Sequence, residues 1–210
     1  MDLKSLALAL AMAVATAGTS QALAAPVSLK GHAASKEAKA LAKWIGTSGD
    51  AAGKAFAIVD KKNARMHLFD ARHRLLASTA VLLGQTVGDH TVSGVGERAQ
   101  AGRDGLHERT TPAGRFETEP GRNLTGEDII WLDYDAALAI HRVRDGANMA
   151  GRIDRLKTST PDDNRVSWGC VVVPVEFYLD KVHPVFSKGA GVVYVMPESG
   201  SPEQLLRQQL

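Results

Sequence analysis

The chain has one cysteine, almost no excess of either charge, and no long apolar run outside its N-terminus. Because Cys170 has no second thiol to pair with, the sequence excludes a disulfide framework and a zinc finger built on several thiolates. The 25 Lys and Arg residues nearly balance the 23 Asp and Glu residues, which gives a formal charge of +2. Since these charges are scattered and form no basic run, no nucleic-acid partner is expected.

The rest of the composition is typical of one folded domain. The chain has 210 residues, of which 44% are hydrophobic and 23% are charged. This balance excludes the disordered, collagenous and coiled-coil classes. No internal repeat or low-complexity tract divides the chain, so we expect a single globular domain behind any targeting segment.

The N-terminus has the pattern of an export signal. A short charged start precedes an alanine-rich apolar stretch over residues 6–18, and the small-residue sequence Ala22-Leu23-Ala24-Ala25 follows. This pattern predicts a signal peptide over residues 1–24 and a location in the periplasm or cell envelope. An uncleaved membrane anchor is the alternative. No other stretch approaches the roughly 18–20 apolar residues of a membrane helix, so no stable membrane span is expected after cleavage.

The segment after the signal, residues 25–54, is expected to be helical. Its apolar residues Ala38, Leu41, Ala42 and Ile45 recur at the spacing of an amphipathic helix. Residues 55–83 then contain three apolar runs separated by polar turns, which predict a three-stranded meander. Two long polar segments, residues 84–114 and 142–165, are expected to be surface loops.

Later apolar runs are short and strand-like. They surround Ile130, Ile140 and Val172, and a last strand is predicted over residues 191–196. A proline at position 174 predicts the start of a helix, and Pro202 predicts a small C-terminal helix within residues 198–210. Because most of the expected order is strand, the fold class is mainly β, a sandwich or barrel with a few peripheral helices.

Two strand ends carry residues that could do chemistry. His141 ends an apolar strand, and Cys170 follows a Ser-Trp-Gly turn. A thiol reacts as thiolate, and a nearby imidazole can serve as its general base and then as an acid. Gly169 allows a tight turn that directs backbone N–H groups toward a developing oxyanion. A buried inert cysteine and a structural histidine are the alternative interpretation.

Three motifs occur in a defined order behind the predicted signal: Thr111-Pro112-Ala113-Gly114-Arg115-Phe116, Ile140-His141 and Ser167-Trp168-Gly169-Cys170. Together they resemble the catalytic domain of the L,D-transpeptidases, which are bacterial cell-wall enzymes, over residues 55–197. The resemblance implies an L,D-transpeptidase-like sandwich or barrel that needs no cofactor or metal. It implies Cys170 as the nucleophile, His141 as its base, and Gly169 with Cys170 as the backbone oxyanion donors. It also implies that the carbonyl of Arg142 helps to orient His141.

The sequence departs from the family pattern in three places. Trp168 occupies the position of a second histidine, and Val172 stands where the family has Arg or Asn. Cys170 follows His141 by 29 positions, which implies an insertion within residues 142–165.

The resemblance implies peptidoglycan stem peptides as both donor and acceptor, and carbapenems as inhibitors. Cys170 would attack the carbonyl at the L-centre of the stem's diamino acid and release D-alanine. An amine acceptor would then give a cross-link, water would give an L,D-carboxypeptidase, and a lipoprotein lysine would give an anchoring enzyme.

Stem peptides carry carboxylates, which arginine can bind through two parallel hydrogen bonds. The segment between the catalytic positions contains Arg142, Arg144, Arg152 and Arg165. Arg142 and Arg165 are closest in sequence to the catalytic pair, and Arg165, Ser167 and Trp168 are expected to bind substrate.

Two further alternatives belong to other functional classes. One is an inactive wall-binding module, for which Trp168 and Val172 would be signs of lost activity. The other is a metal site that combines Cys170 and His141 with other histidines, but these lack tight ligand spacing. The histidines are His67, His73, His90 and His107.

Overall fold

The computed structural model describes residue 29 and residues 33–103 and 105–202. The predicted signal peptide, residues 1–24, lies outside these described residues, as does most of the predicted C-terminal helix over 198–210. Within the described part of the chain, no helix is long and apolar enough to cross a membrane.

The first helix, α1, covers Lys36–Ser48. It begins where the Ser35 side chain accepts a hydrogen bond from the backbone N–H of Ala38, and it ends at Gly49 in the left-handed conformation. The predicted apolar face is confirmed, because Ala38, Leu41, Ala42 and Ile45 are its buried residues.

A five-stranded sheet follows this helix. Its order is β3-β2-β1-β11-β5, and β1, β2 and β3 pair antiparallel, which confirms the predicted meander. The strands are β1 Phe56–Asp60, β2 Arg65–Phe69, β3 Leu75–Ala80, β5 Gly114–Glu117 and β11 Val192–Val195. One face of this sheet packs against α1.

A four-stranded sheet with the order β10-β8-β7-β6 forms the second layer. Its strands are β6 Glu119–Arg122, β7 Asp128–Asp133, β8 Leu138–Arg142 and β10 Val171–Val173. A short parallel pair, β4 Leu83–Gly84 and β9 Arg165–Ser167, lies beside it.

The main core lies between the two large sheets. Side chains of Leu138, Ile140, Val171 and Val173 from the four-stranded sheet join one buried cluster with residues of β1, β2 and β11. Apolar burial on this scale is the dominant favourable term in folding. Two sheets around one core, with helices at the periphery, confirm the predicted mainly β class.

The helical segment after Pro174 also contributes to this core. It consists of α4 Val175–Phe177, a π-helical turn at Tyr178–Val182, and α5 His183–Phe186. Tyr178, Val182 and Phe186 are fully buried in the inter-sheet cluster.

The two predicted loops contain more structure than expected. Residues 84–114 include α2 Val95–Gln100 and a 3₁₀ turn at Leu106–Glu108. Residues 142–165 include α3 Met149–Lys157 and a 3₁₀ turn at Asp162–Asn164. Three apolar residues of α3, spaced four and three apart, pack against a small cluster beside the four-stranded sheet; they are Met149, Ile153 and Leu156. This spacing was the available signal for the helix.

Candidate active site

The site lies where β8 and β10 run side by side. The two strands are parallel, and His141 is paired in register with Val172. Because side chains alternate along a strand, Ile140 points into the inter-sheet core and His141 points to the opposite face. Cys170 immediately precedes β10 and stands two residues before Val172, on the same face. The topology therefore brings the predicted nucleophile and base to neighbouring strands.

A tight turn presents Cys170. The hydroxyl of Ser167 donates to the carbonyl of Cys170 at 2.7 Å and accepts from the N–H of Gly169 at 3.2 Å. Gly169 has φ +128°, and a Cβ there would stand 3.0 Å from the backbone oxygen of Thr110. This conformation favours glycine, so the residue before the cysteine is fixed by backbone geometry.

Thr111 holds this turn through hydrogen bonds of its side chain, a role that the sequence did not indicate. Its side chain is fully buried, donates to the carbonyl of Gly169 at 2.7 Å, and accepts from the N–H of Gly84 at 2.8 Å. The residue stood in the quoted Thr-Pro motif, but nothing in that motif indicated a contact 58 positions away. We regard Thr111 as a positioning residue for the cysteine turn.

Lys61 is a second buried residue that the sequence did not single out. Its ammonium group donates to the carbonyls of Gly88 at 2.5 Å and Thr111 at 2.9 Å, and to the carboxylate of Asp89 at 2.8 Å. Burial lowers the pKa of Lys61, while the Asp89 carboxylate opposes that shift. Lys61 thus fastens the segment after β4 to the backbone of Thr111. In sequence it reads as one of several polar residues in a turn.

The thiol of Cys170 is protonated in this environment. Its Sγ donates to the carbonyl of Ala137 at 3.4 Å. Burial raises the pKa of Cys170, and the nearby charge of Arg144 only partly offsets that effect. The cysteine is therefore a free thiol at neutral pH.

His141 is held as a neutral base. Its Nδ1 lies 2.7 Å from the carbonyl oxygen of Arg142, and because a carbonyl can only accept, Nδ1 carries the proton. Burial, with the charge of Arg144, lowers the pKa of His141 to about 3. Nε2 is therefore left with a lone pair at neutral pH. No hydrogen bond joins the imidazole to the thiol among the described residues.

Both groups line one cleft of about 610 Å³. Its walls include the aromatic residues Trp131, Tyr134 and Trp168. Trp168 is 52% exposed, and the guanidinium of Arg109 stacks 4.5 Å from its ring centroid. The cleft thus combines apolar walls with the two candidate reacting groups.

The structure corrects the expectation about the arginines. Arg142 turns to the other face of β8, where it bonds Asp128 at 3.2 Å and stacks over Tyr178. Arg165, predicted to bind substrate, instead bonds Glu198 at 2.7 Å and the carbonyl of Lys61 at 3.0 Å, and does not line the cleft. Arg142 lies outside the cleft although it follows His141 directly, because successive residues of a strand point to opposite faces.

The other two arginines of this segment, Arg144 and Arg152, do line the cleft. Trp168 lines it as well, whereas the hydroxyl of Ser167, also predicted to bind substrate, is used within the turn. The backbone N–H of Gly169 likewise donates to the Ser167 hydroxyl within this turn.

The histidines considered for a metal site are dispersed. Nδ1 of His67 lies 2.8 Å from the Ser78 hydroxyl, and His73 packs edge-on against Phe56 with ring centroids 5.7 Å apart. Across residues 33–103 and 105–202, no group of three or more His, Cys, Asp or Glu side chains could hold a metal ion.

No model of a known protein family matches the chain. No curated protein matches it either. Among solved structures, the chain is similar to the NMR structure of the catalytic domain from E. faecium L,D-transpeptidase, at 18% identity and a TM-score of 0.35. The match covers 69% of this chain and 98% of that domain.

Proposed function

We propose that the chain is an exported cysteine acyltransferase of the L,D-transpeptidase type that acts on peptidoglycan stem peptides. The observation that carries the proposal is the placement of a buried neutral imidazole on β8 and a free thiol immediately before the neighbouring parallel strand β10, with both groups lining one cleft. Residues 55–197 would form the catalytic domain, and residues 1–24 would direct export to the periplasm.

The first half-reaction begins with a rotation of the Cys170 side chain away from the Ala137 carbonyl and toward His141. Nε2 takes the thiol proton, which is possible because Nδ1 already donates to Arg142 and leaves the Nε2 lone pair free. The thiolate attacks the carbonyl carbon at the L-centre of the stem's diamino acid. The backbone N–H of Cys170 stabilises the resulting oxyanion.

Collapse of this intermediate forms a thioester and breaks the peptide bond. The imidazolium of His141 returns its proton to the departing amine of D-alanine. In the second half-reaction, an acceptor amine attacks the thioester, His141 removes the amine's proton, and the Cys170 thiol is regenerated. Water in place of the amine would make the same protein an L,D-carboxypeptidase.

The test is incubation of the purified protein with purified muropeptides, followed by intact-mass analysis of the protein and mass analysis of products. We expect a thioester on Cys170, release of D-alanine and a cross-linked product. Hydrolysed stems without cross-links would point to the carboxypeptidase. Absence of both adduct and products, in protein that a small alkylating agent still modifies, would favour the inactive module.

A further inference from the structure

The charged groups of the cleft are mostly cationic. Among the described residues, its lining contains three arginines, Arg122, Arg144 and Arg152, and one acid, Glu108. The carboxylate of Glu108 is bound by the guanidinium of Arg98 and by the backbone N–H of Gly105. The acid is thus already neutralised, and the excess positive charge of the cleft remains.

The three arginines differ in what they already bind. Arg122 donates to the carbonyl of Gly126 at 2.8 Å, and Nε of Arg144 lies 3.2 Å from the Glu127 carboxylate. Arg152 forms no side-chain hydrogen bond or ion pair with any part of the chain that the structure describes. Its helix, α3, packs against the cluster of Leu82, Val143 and Val172 through partly buried apolar residues that include Ile153.

Arg144 and Arg152 line the same cleft as His141 and Cys170. Burial lowers the pKa of His141, and the charges of Arg144 and Arg152 lower it further. The charge of Arg144 also lowers the pKa of Cys170, where it opposes the effect of burial. A negative group bound by these arginines would therefore lie in the cleft that also contains the two candidate reacting groups.

We propose that Arg144 and Arg152 form an anion subsite that holds a carboxylate of the acyl donor next to the scissile carbonyl. Planar guanidinium groups match a carboxylate through paired hydrogen bonds. The donor is assigned to this subsite because the scissile carbonyl belongs to the donor, and the two arginines line the same cleft as His141 and Cys170. The inference rests on the proposed function for the identity of the ligand, and it assigns selection of anionic donors to these two residues.

Binding to the Cys170→Ser variant tests the subsite without any chemistry. Calorimetry would compare a stem tetrapeptide with two derivatives, one amidated at the diamino acid and one at the terminal D-alanine. Arg152→Gln should weaken binding of the unmodified peptide by roughly ten- to thirtyfold. It should leave one amidated derivative unaffected, and that derivative identifies the carboxylate. Arg144→Gln should act in the same direction, and Arg152→Lys should retain part of the affinity.

Arg155→Gln is the matched control on the same helix. Arg155 donates to the carbonyl of Asp163 at 2.7 Å and does not line the cleft, so its removal should leave donor binding unchanged. The subsite would be overturned if Arg152→Gln weakened binding of all three peptides equally, or if Arg155→Gln and Arg152→Gln had equal effects. It would also be overturned if no peptide bound measurably.

The two proposals fail in distinguishable ways. Charge-dependent binding to the Cys170→Ser variant, combined with no thioester on the unmodified chain, would refute the acyltransferase and retain the anion subsite. If the protein forms a thioester and still prefers the unmodified donor after both Arg144→Gln and Arg152→Gln, the subsite alone is refuted.

Discussion

Replacement of Thr111 by valine should destabilise the protein and disturb the cysteine turn together. The substitution keeps the branched shape and removes the hydroxyl that joins the Gly169 carbonyl to the Gly84 N–H. The site is fully buried, so water cannot replace the lost partner. Each buried polar group left unpaired costs about 1–3 kcal/mol, so the free energy of unfolding should fall by roughly 2–6 kcal/mol.

Thr118→Val provides a matched control in the same domain. Thr118 is also buried and accepts a hydrogen bond from a glycine N–H, that of Gly191 at 2.6 Å, but it does not touch the cysteine turn. Because one hydrogen-bond partner is lost instead of two, we expect a loss of about 1–3 kcal/mol. Urea unfolding of the two variants and the original chain measures both values.

The rates of acylation and alkylation of Cys170 distinguish a loss of positioning from a loss of stability. In the absence of urea, the folded Thr111→Val protein should acylate Cys170 more slowly with a stem peptide, because the turn no longer aims the thiol. It should also react faster with iodoacetamide, because a looser turn exposes Cys170. Thr118→Val should change neither rate. The reasoning is refuted if Thr111→Val leaves both rates unchanged, or if the two variants alter them equally.

Three other outcomes follow from the site. Cys170→Ala should abolish thioester formation and product release while the protein remains folded, and turnover by this variant would move the nucleophile elsewhere. A carbapenem should form a covalent adduct that peptide mapping places on Cys170, whereas an unmodified but alkylatable thiol would count against acyl chemistry in the cleft. The folded pKa of His141, about 3, lies below its unfolded value. The contribution of neutral His141 to the free energy of unfolding is therefore complete above about pH 6.5 and is lost as the pH falls toward 3. His141→Asn should reduce the slope of unfolding free energy between pH 4 and 6 by up to about 1.4 kcal/mol per pH unit; an unchanged slope would contradict the shift.

Much of the fold could be predicted because its signals are local. The helical spacing of Leu41 and Ile45 predicted α1, and the alternation of apolar runs with polar turns predicted the β1–β3 meander. The strand β6 was missed because Pro120 and Gly121 disfavour a strand. The structure tolerates them because β6 is the edge of its sheet, where a proline does not interrupt a ladder on both sides.

The candidate site was predictable only in part, because a sequence shows which residue types are present and not which side of the fold each side chain faces. The motifs single out Cys170 and His141, and both line the cleft. Thr111 and Lys61 support the cysteine turn through contacts between distant parts of the chain, and no local pattern encodes such contacts. Nearness to the cysteine in sequence favours Arg165 over Arg152, yet α3 carries Arg152 to the cleft, whereas Arg165 pairs with Glu198 and does not line the cleft.

The structure gives Val172 a packing role that the sequence did not suggest. Its side chain is 1% exposed and clusters with Leu82 and Val143, and apolar residues of α3, including Ile153, pack against this cluster. A charged or amide side chain in this position would lose its hydration, which costs free energy unless a hydrogen-bond partner compensates. An apolar residue at 172 therefore suits the packing of α3 against this cluster. Because that helix also carries Arg152 into the cleft, Val172 supports the positive charge near His141, and its apolar character is not by itself a sign of lost activity.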